Sequence, residues 1–262
     1  MRSVSTKLIF AFVLGVLAAA AGAALLWHFA EIPADRLHAQ LLEQPEFLAD
    51  HPDVLSAAQV ILQNRRLAAE SVQRAALMSG KWKSLLHPAF SPTLGAADAP
   101  MTLVEFTDYT CEPCRLSAPA VRDTLKANGD LRIAILLMPT GGALSEYAAR
   151  VALAAYRQDP SKFPALHEQL ISHEGPLTQE SILAAAGSLR YDVEQISREA
   201  SNSEVRRYFG EVRNFAEEMN VYAVPAFVLR GQLILGRVKS KQLSEMVETG
   251  RVPNSNTHTD RA

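Results

Sequence analysis

The stretch FTDYTCEPCRLSAP, residues 106–119, holds the only two cysteines of the 262-residue chain, Cys111 and Cys114. Glu112 and Pro113 separate them. Two thiols so placed can hold a metal, staple a loop or carry redox chemistry. A structural zinc site needs about four nitrogen or sulfur ligands. There is no second cysteine pair, and the seven histidines are scattered with none at i, i+3 or i+4. A disulfide over so short a loop removes little entropy from the unfolded chain. Redox chemistry remains, provided that a strand feeds the pair and a helix follows it.

The flanking sequence supplies that context. MTLVEFTDY, residues 101–109, is short and rich in β-formers, as a buried strand is. RLSAPAVRDTLKA after the pair has helical character, and Pro119 within it is expected to bend the helix. LRIAILLMP, residues 131–139, predicts a second buried strand. Cys111 therefore opens a helix, where free N–H groups and the dipole stabilise a thiolate. Cys114 lies about one turn further in and is better shielded. The expected division of labour makes Cys111 the nucleophile and Cys114 the thiol that resolves a mixed disulfide. Glu112 is a like charge beside that thiolate and opposes the helix effect. Arg115 opposes Glu112 only if it folds back. Glu105, inside the apolar run TLVEF, has two readings: a solvent-facing strand residue, or an inward acid beneath the cysteines that moves protons to and from Cys114. Pro225, in AVPAF, is either an ordinary strand-start proline or a cis one.

Around this centre, residues 142–220 are almost wholly helical in pattern, with Thr178 an expected N-cap. VYAVPAFVLRGQLILGRV holds two apolar runs flanking Arg230-Gly231, a hairpin signal, and SKQLSEMVETG closes the catalytic part. The segment 31–86 reads as a helical extension, 87–100, with three prolines and a glycine, as a linker, and 251–262 as a disordered polar tail.

Residues 8–27 carry no charge, and about twenty apolar residues span a bilayer. Arg2 and Lys7 before the run place the N-terminus in the cytoplasm and the rest outside it. Residues 1–30 thus form a signal peptide or a retained signal anchor. Ala21-Gly22-Ala23 suits cleavage, whereas Trp27 suits a membrane boundary and favours the anchor. Either way the bulk reaches an oxidising compartment. The net charge of −2 shows no basic excess and predicts no nucleic-acid partner.

LVEFTDYTCEPC with its helix, and VYAVPAFVL, resemble the DsbA-like thiol–disulfide oxidoreductases of the thioredoxin superfamily, over about 94–250. The resemblance implies an α/β thioredoxin fold at 101–250 with a helical insertion at about 142–220. In this chain the membrane or signal helix and the helical extension precede it. It also implies that Pro225 is cis, that Val224 faces substrate, and that Glu105 is a buried proton relay. It implies no cofactor beyond the Cys111–Cys114 disulfide, and no metal. LLEQPEFLADHPDVLSAAQVILQ is similar to the extension of the suppressor-of-copper-sensitivity C branch, so that 31–86 is a candidate homo-oligomerisation segment. Two features depart from the family. LLMP stands where relatives often carry a KEFP-like stretch, so Glu105 lacks a lysine partner. CEPC is not the His-containing motif of the strongest oxidants; it is similar to that of some membrane-anchored reductases in cytochrome c maturation. The expected function is exchange of disulfides with cysteine-containing protein substrates, as oxidase or isomerase, on the periplasmic side of a bacterial inner membrane with a membrane redox partner. The alternatives are a thiol reductase for cytochrome c maturation or copper delivery, and a copper-binding module without enzymatic activity.

Overall fold

The computed structural model describes residues 43, 46–88 and 91–251. The apolar run 8–27, the tail from 252 and most of 31–45 lie outside the described residues. The chain divides into two compact units, residues 1–65 and 66–262. In the first, the described elements are α1 (Glu46–Asp50) and the opening turns of α2 (Pro52–Ser79), a helix that continues into the second unit. Among the described residues no helix is long and apolar enough to cross a membrane.

The second unit is built on a five-stranded sheet in the order β1-β3-β2-β4-β5. Its strands are β1 (Thr93–Gly95), β2 (Met101–Thr107), β3 (Leu131–Leu137), β4 (Ala226–Leu229) and β5 (Gln232–Leu235). β2 and β3 run parallel, with Glu105 opposite Ile135, and all other pairings are antiparallel. A parallel pair needs a crossover, and α3 (Glu112–Ala127) provides it, running on through the exposed Pro119. Strands covered on both faces read as continuous apolar runs, as LVEF and IAILL do. Leu103, Val104, Phe106, Ile133 and Ile135 are fully buried.

Between β3 and β4 lie α4 (Ala143–Gln158), a 3₁₀ turn at Pro160–Lys162, α5 (Phe163–Ile171), α6 (Gln179–Ser188), α7 (Val193–Glu199) and α8 (Ser203–Glu218). Thr178 caps α6 in a capping box with Ser181. The β4–β5 turn is a two-residue loop with Arg230 at φ 47° and Gly231 at φ 85°. Such left-handed pairs match the twist of a hairpin. α9 (Ser240–Arg251) packs beside α3 and β4.

The expected linker at 87–100 is corrected. Its residues 93–95 form β1, paired with β3, and Ser91 is fully buried with its hydroxyl between Leu85 O and the Tyr208 hydroxyl. The end of the expected extension also belongs to the catalytic unit. Trp82, Leu85 and Leu86 are core residues, and Trp82 stacks at 5.3 Å on Phe215, which stacks at 5.7 Å on Phe106. Arg74, buried in α2, donates from Nε to Gly231 O at 2.7 Å. Burying each large apolar side chain stabilises by about 1.5–3 kcal/mol, which outweighs the proline content that suggested a free connector.

Candidate active site

β2 ends at Thr107, and four residues later Cys111 is the N-cap of α3, with φ −84° and ψ 116°. Its Sγ accepts from Cys114 N at 3.1 Å, so a sulfur occupies the place of a capping oxygen. The two cysteines are joined as a disulfide with Cα atoms 5.2 Å apart. Cys111 is half-buried and Cys114 fully buried. The Val224–Pro225 peptide bond is cis, and Cys111 Sγ lies 3.7 Å from Val224 O. The sheet thus brings together residues 113 positions apart in sequence. Glu112 and Arg115 are both exposed and stand 3.7 Å apart as an i, i+3 pair. Ser117 fastens the first turns of α3: its hydroxyl donates to Pro113 O at 2.8 Å and accepts from Val238 N at 3.1 Å.

Asp108 escaped the sequence reading. It is 3% exposed, and its carboxylate accepts six hydrogen bonds from neighbouring residues. Oδ1 accepts from the Thr110 amide and hydroxyl, both at 2.9 Å. Oδ2 accepts from Thr140 N at 2.7 Å, Thr140 Oγ1 at 2.9 Å, Gly141 N at 3.2 Å and Ser145 Oγ at 2.7 Å. Burial alone would raise its pKa, but the donors on Thr140, Thr110 and Ser145 outweigh burial and hold it below the usual carboxylate range. Gly141 is required here, because a Cβ would lie 2.3 Å from Thr110 Oγ1. One anion therefore ties the loop before the nucleophile to the start of α4.

Glu105 faces inward. It is 2% exposed, and its Oε2 has no hydrogen-bond partner. Burial pushes its pKa up to about 7, and the nearby Thr107 hydroxyl offsets this a little without a formed hydrogen bond. Glu105 lines a cavity of about 220 Å³ together with Ala118, Val121 and Leu125, the face of α3 that continues from Cys114, and with His167 of α5. The Arg122–Glu168 ion pair stands at the same cavity. His167 is buried and its pKa falls to about 4 through desolvation, against a small opposing pull from Glu168. Its Nδ1 is 3.1 Å from the hydroxyl of Tyr109, itself buried two residues before Cys111.

A shallow groove of about 200 Å³ borders Cys111, with Tyr109, Arg115, Leu144, Leu170 and Leu177 among its walls. On the loop before the cis-proline, Tyr222 is 81% exposed. Among the described residues no group of three or more His, Cys, Asp or Glu is placed to hold a metal.

The thioredoxin family model matches residues 90–249. A thioredoxin-like oxidoreductase from Silicibacter pomeroyi is 31% identical in sequence, with a TM-score of 0.58 over 62% of this chain and 92% of that one. The catalytic domain of Proteus mirabilis ScsC is 28% identical, with a TM-score of 0.60 over 68% of this chain and 97% of that one. Disulfide bond formation protein D of Bacillus subtilis is 25% identical over 167 residues, 60% of this chain and 75% of that protein.

Proposed function

The chain belongs to the thioredoxin family, its relatives being thiol–disulfide oxidoreductases, and from that premise we propose that it exchanges disulfides with cysteine-containing proteins outside the cytoplasm, as an oxidase or isomerase. The observation that carries this reading is the asymmetry of the pair. Cys111 is accessible at a helix N-cap, 3.7 Å from Val224 O, while Cys114 is buried behind it.

In this mechanism a substrate thiolate attacks Cys111 Sγ and breaks its bond to Cys114. Cys114 leaves as a thiolate and takes a proton from Glu105, whose raised pKa keeps that proton available near neutrality. A second substrate thiolate then attacks the substrate sulfur of the mixed disulfide. Cys111 leaves as a thiolate held by the N-terminal amides of α3, and two electrons have passed from substrate to protein. Isomerisation starts from the reduced pair and reverses the second step: the Cys111 thiolate attacks a misplaced substrate disulfide, one substrate thiolate leaves, and another substrate thiolate later displaces Cys111 to form the new disulfide. Val224, held in place by the cis bond to Pro225, presents its backbone to the substrate chain beside Cys111.

The charge-free run 8–27 supports a signal anchor in a bacterial inner membrane, with a membrane redox partner resetting the pair on the periplasmic side. Val54, Leu55, Ile61 and Leu62 are exposed on the helix of the first unit, which supports self-association of that segment. A truncated protein beginning at Arg66 keeps Trp82, Leu85, Leu86 and β1, and should be monomeric by light scattering where one beginning at Glu31 is not. If both are monomers, self-association is wrong.

The function is tested by reduction of insulin and by refolding of scrambled ribonuclease, for wild type and Cys111→Ser. Loss of both activities in the variant is expected. Wild-type protein inactive in both assays would overturn the reading.

A further inference from the structure

At the end of the sheet opposite the cysteines lies a cavity of about 600 Å³, within the range of small-ligand pockets. Its walls come from α2, the 80–88 segment, the start of β2, the β4–β5 turn and the end of α9. Met78, Leu86 and Met101 give it an apolar floor. Lys83, Arg132 and Arg230 also line it, and no aspartate or glutamate does.

Those three cations lack the ion pairs that serve most others in the unit. Among the described residues none has a carboxylate partner; Arg132 Nη1 donates to Leu86 O at 2.9 Å, and no other acceptor holds that guanidinium. Arg132 is half-buried, and desolvation lowers its pKa from the ordinary arginine value. A guanidinium partly withdrawn from water without an opposing charge is costly. An anion beside it would relieve that cost.

We propose that this cavity binds an amphiphilic anion, a phosphate or carboxylate head on a short alkyl body. The head sits among Lys83, Arg132 and Arg230, and the body lies on Met78, Leu86 and Met101. The site is separate from the thiol chemistry. Met101 and Thr102 open β2, whose seven residues span roughly 20 Å before the loop to Cys111.

Octyl phosphate, inorganic phosphate and octanol serve as probes, titrated into the full chain and followed by amide chemical shifts. Octyl phosphate should bind more than tenfold tighter than either part alone, shifting Thr102, Arg132 and Thr249. The double variant Lys83→Glu, Arg230→Glu changes exposed residues remote from the cysteines. It should bind at least tenfold more weakly, equivalent to about 1.4 kcal/mol, with insulin reduction unchanged. Arg132→Met should weaken binding likewise. With the full chain in phosphatidylglycerol or phosphatidylcholine nanodiscs, a bilayer source of the head is distinguished, when phosphatidylglycerol alone shifts the Thr102, Arg132 and Thr249 amides in the wild type and not in the double variant, from a soluble one, when only octyl phosphate shifts them. No saturable binding by about 1 mM, equal affinity in the double variant, or shifts clustered around Cys111 would each overturn the proposal.

Discussion

Glu105 of β2 and His167 of α5 line one cavity, the acid held protonated and the imidazole held neutral. Glu105 moves from 4.5 to about 7, so alone it makes stability fall as pH rises through that window. His167 moves from 6.5 to about 4, so alone it makes stability fall as pH drops through that one. Between about 4.5 and 6.5 the folded chain carries one proton on Glu105, and the unfolded chain carries one on His167. The two slopes cancel there. Glu105→Gln should expose the histidine slope, about 1.4 kcal/mol lost per unit of acidification relative to wild type. Urea unfolding of the oxidised protein across that window checks this; parallel curves for variant and wild type would refute it. Tyr109 stays protonated throughout, its pKa raised well above the ordinary value by burial and then by Glu105.

Cys111 is half-exposed and Cys114 buried. Limited iodoacetamide treatment of the reduced protein near neutral pH should therefore label Cys111 first, and peptide mapping reads the outcome. Preferential labelling of Cys114 would reverse their roles.

Glu112 is exposed in the first turn of α3, so its charge opposes the thiolate through solvent and is partly answered by Arg115. Glu112→His should make the pair more oxidising against glutathione. About 30 mV corresponds to 1.4 kcal/mol for two electrons, and solvent screening puts the expected shift at that size or below. An unchanged or more reducing potential would remove Glu112 from the tuning of this thiol.

Asp108 holds two loops through six accepted hydrogen bonds. Asp108→Ala strands the buried hydroxyl of Ser145 and frees the more exposed donors of Thr110 and Thr140 to water; a buried unsatisfied group costs about 1–3 kcal/mol. A loss of about 1–3 kcal/mol is expected in urea unfolding. Asp108→Asn keeps the shape and one acceptor but turns the other oxygen into a donor facing donors, and should fall between. Full stability in the alanine variant would mean that the loops hold without it.

The elements that the sequence revealed are those whose signal is local. The LVEF and IAILL runs, the strand–Cys–helix order and the Arg230-Gly231 turn each lie within a few residues. The cis bond at Pro225 entered through resemblance, and spacing alone left it open. Asp108 looked like any loop acid, because its acceptors meet donors at 140, 141 and 145. His167 looked like a scattered histidine, because its partners sit on β2 and in the loop before Cys111. The prolines of 87–100 hid β1, since a three-residue strand has no periodicity to detect. The orientation of Glu105 could not be read from a strand covered on both faces, where alternation vanishes.

The helices from α4 to α8 leave the sheet next to Thr140 and Gly141 and return beside Val224. The departure is anchored to Asp108, and the return is fixed in β4 against β2, with Val224 O at Cys111. The redox pair is thus held at both moorings, and of what the chain builds between them α4, α5 and the 172–177 loop reach the cavities beside it. Turns or whole helices could be gained, lost or exchanged at the far side of that excursion, recasting the surface offered to a client while the cysteines keep their setting. A graft into the turn at 200–202, which lines neither the groove at Cys111 nor the cavity at Glu105, is where an engineer would begin to redirect such a scaffold.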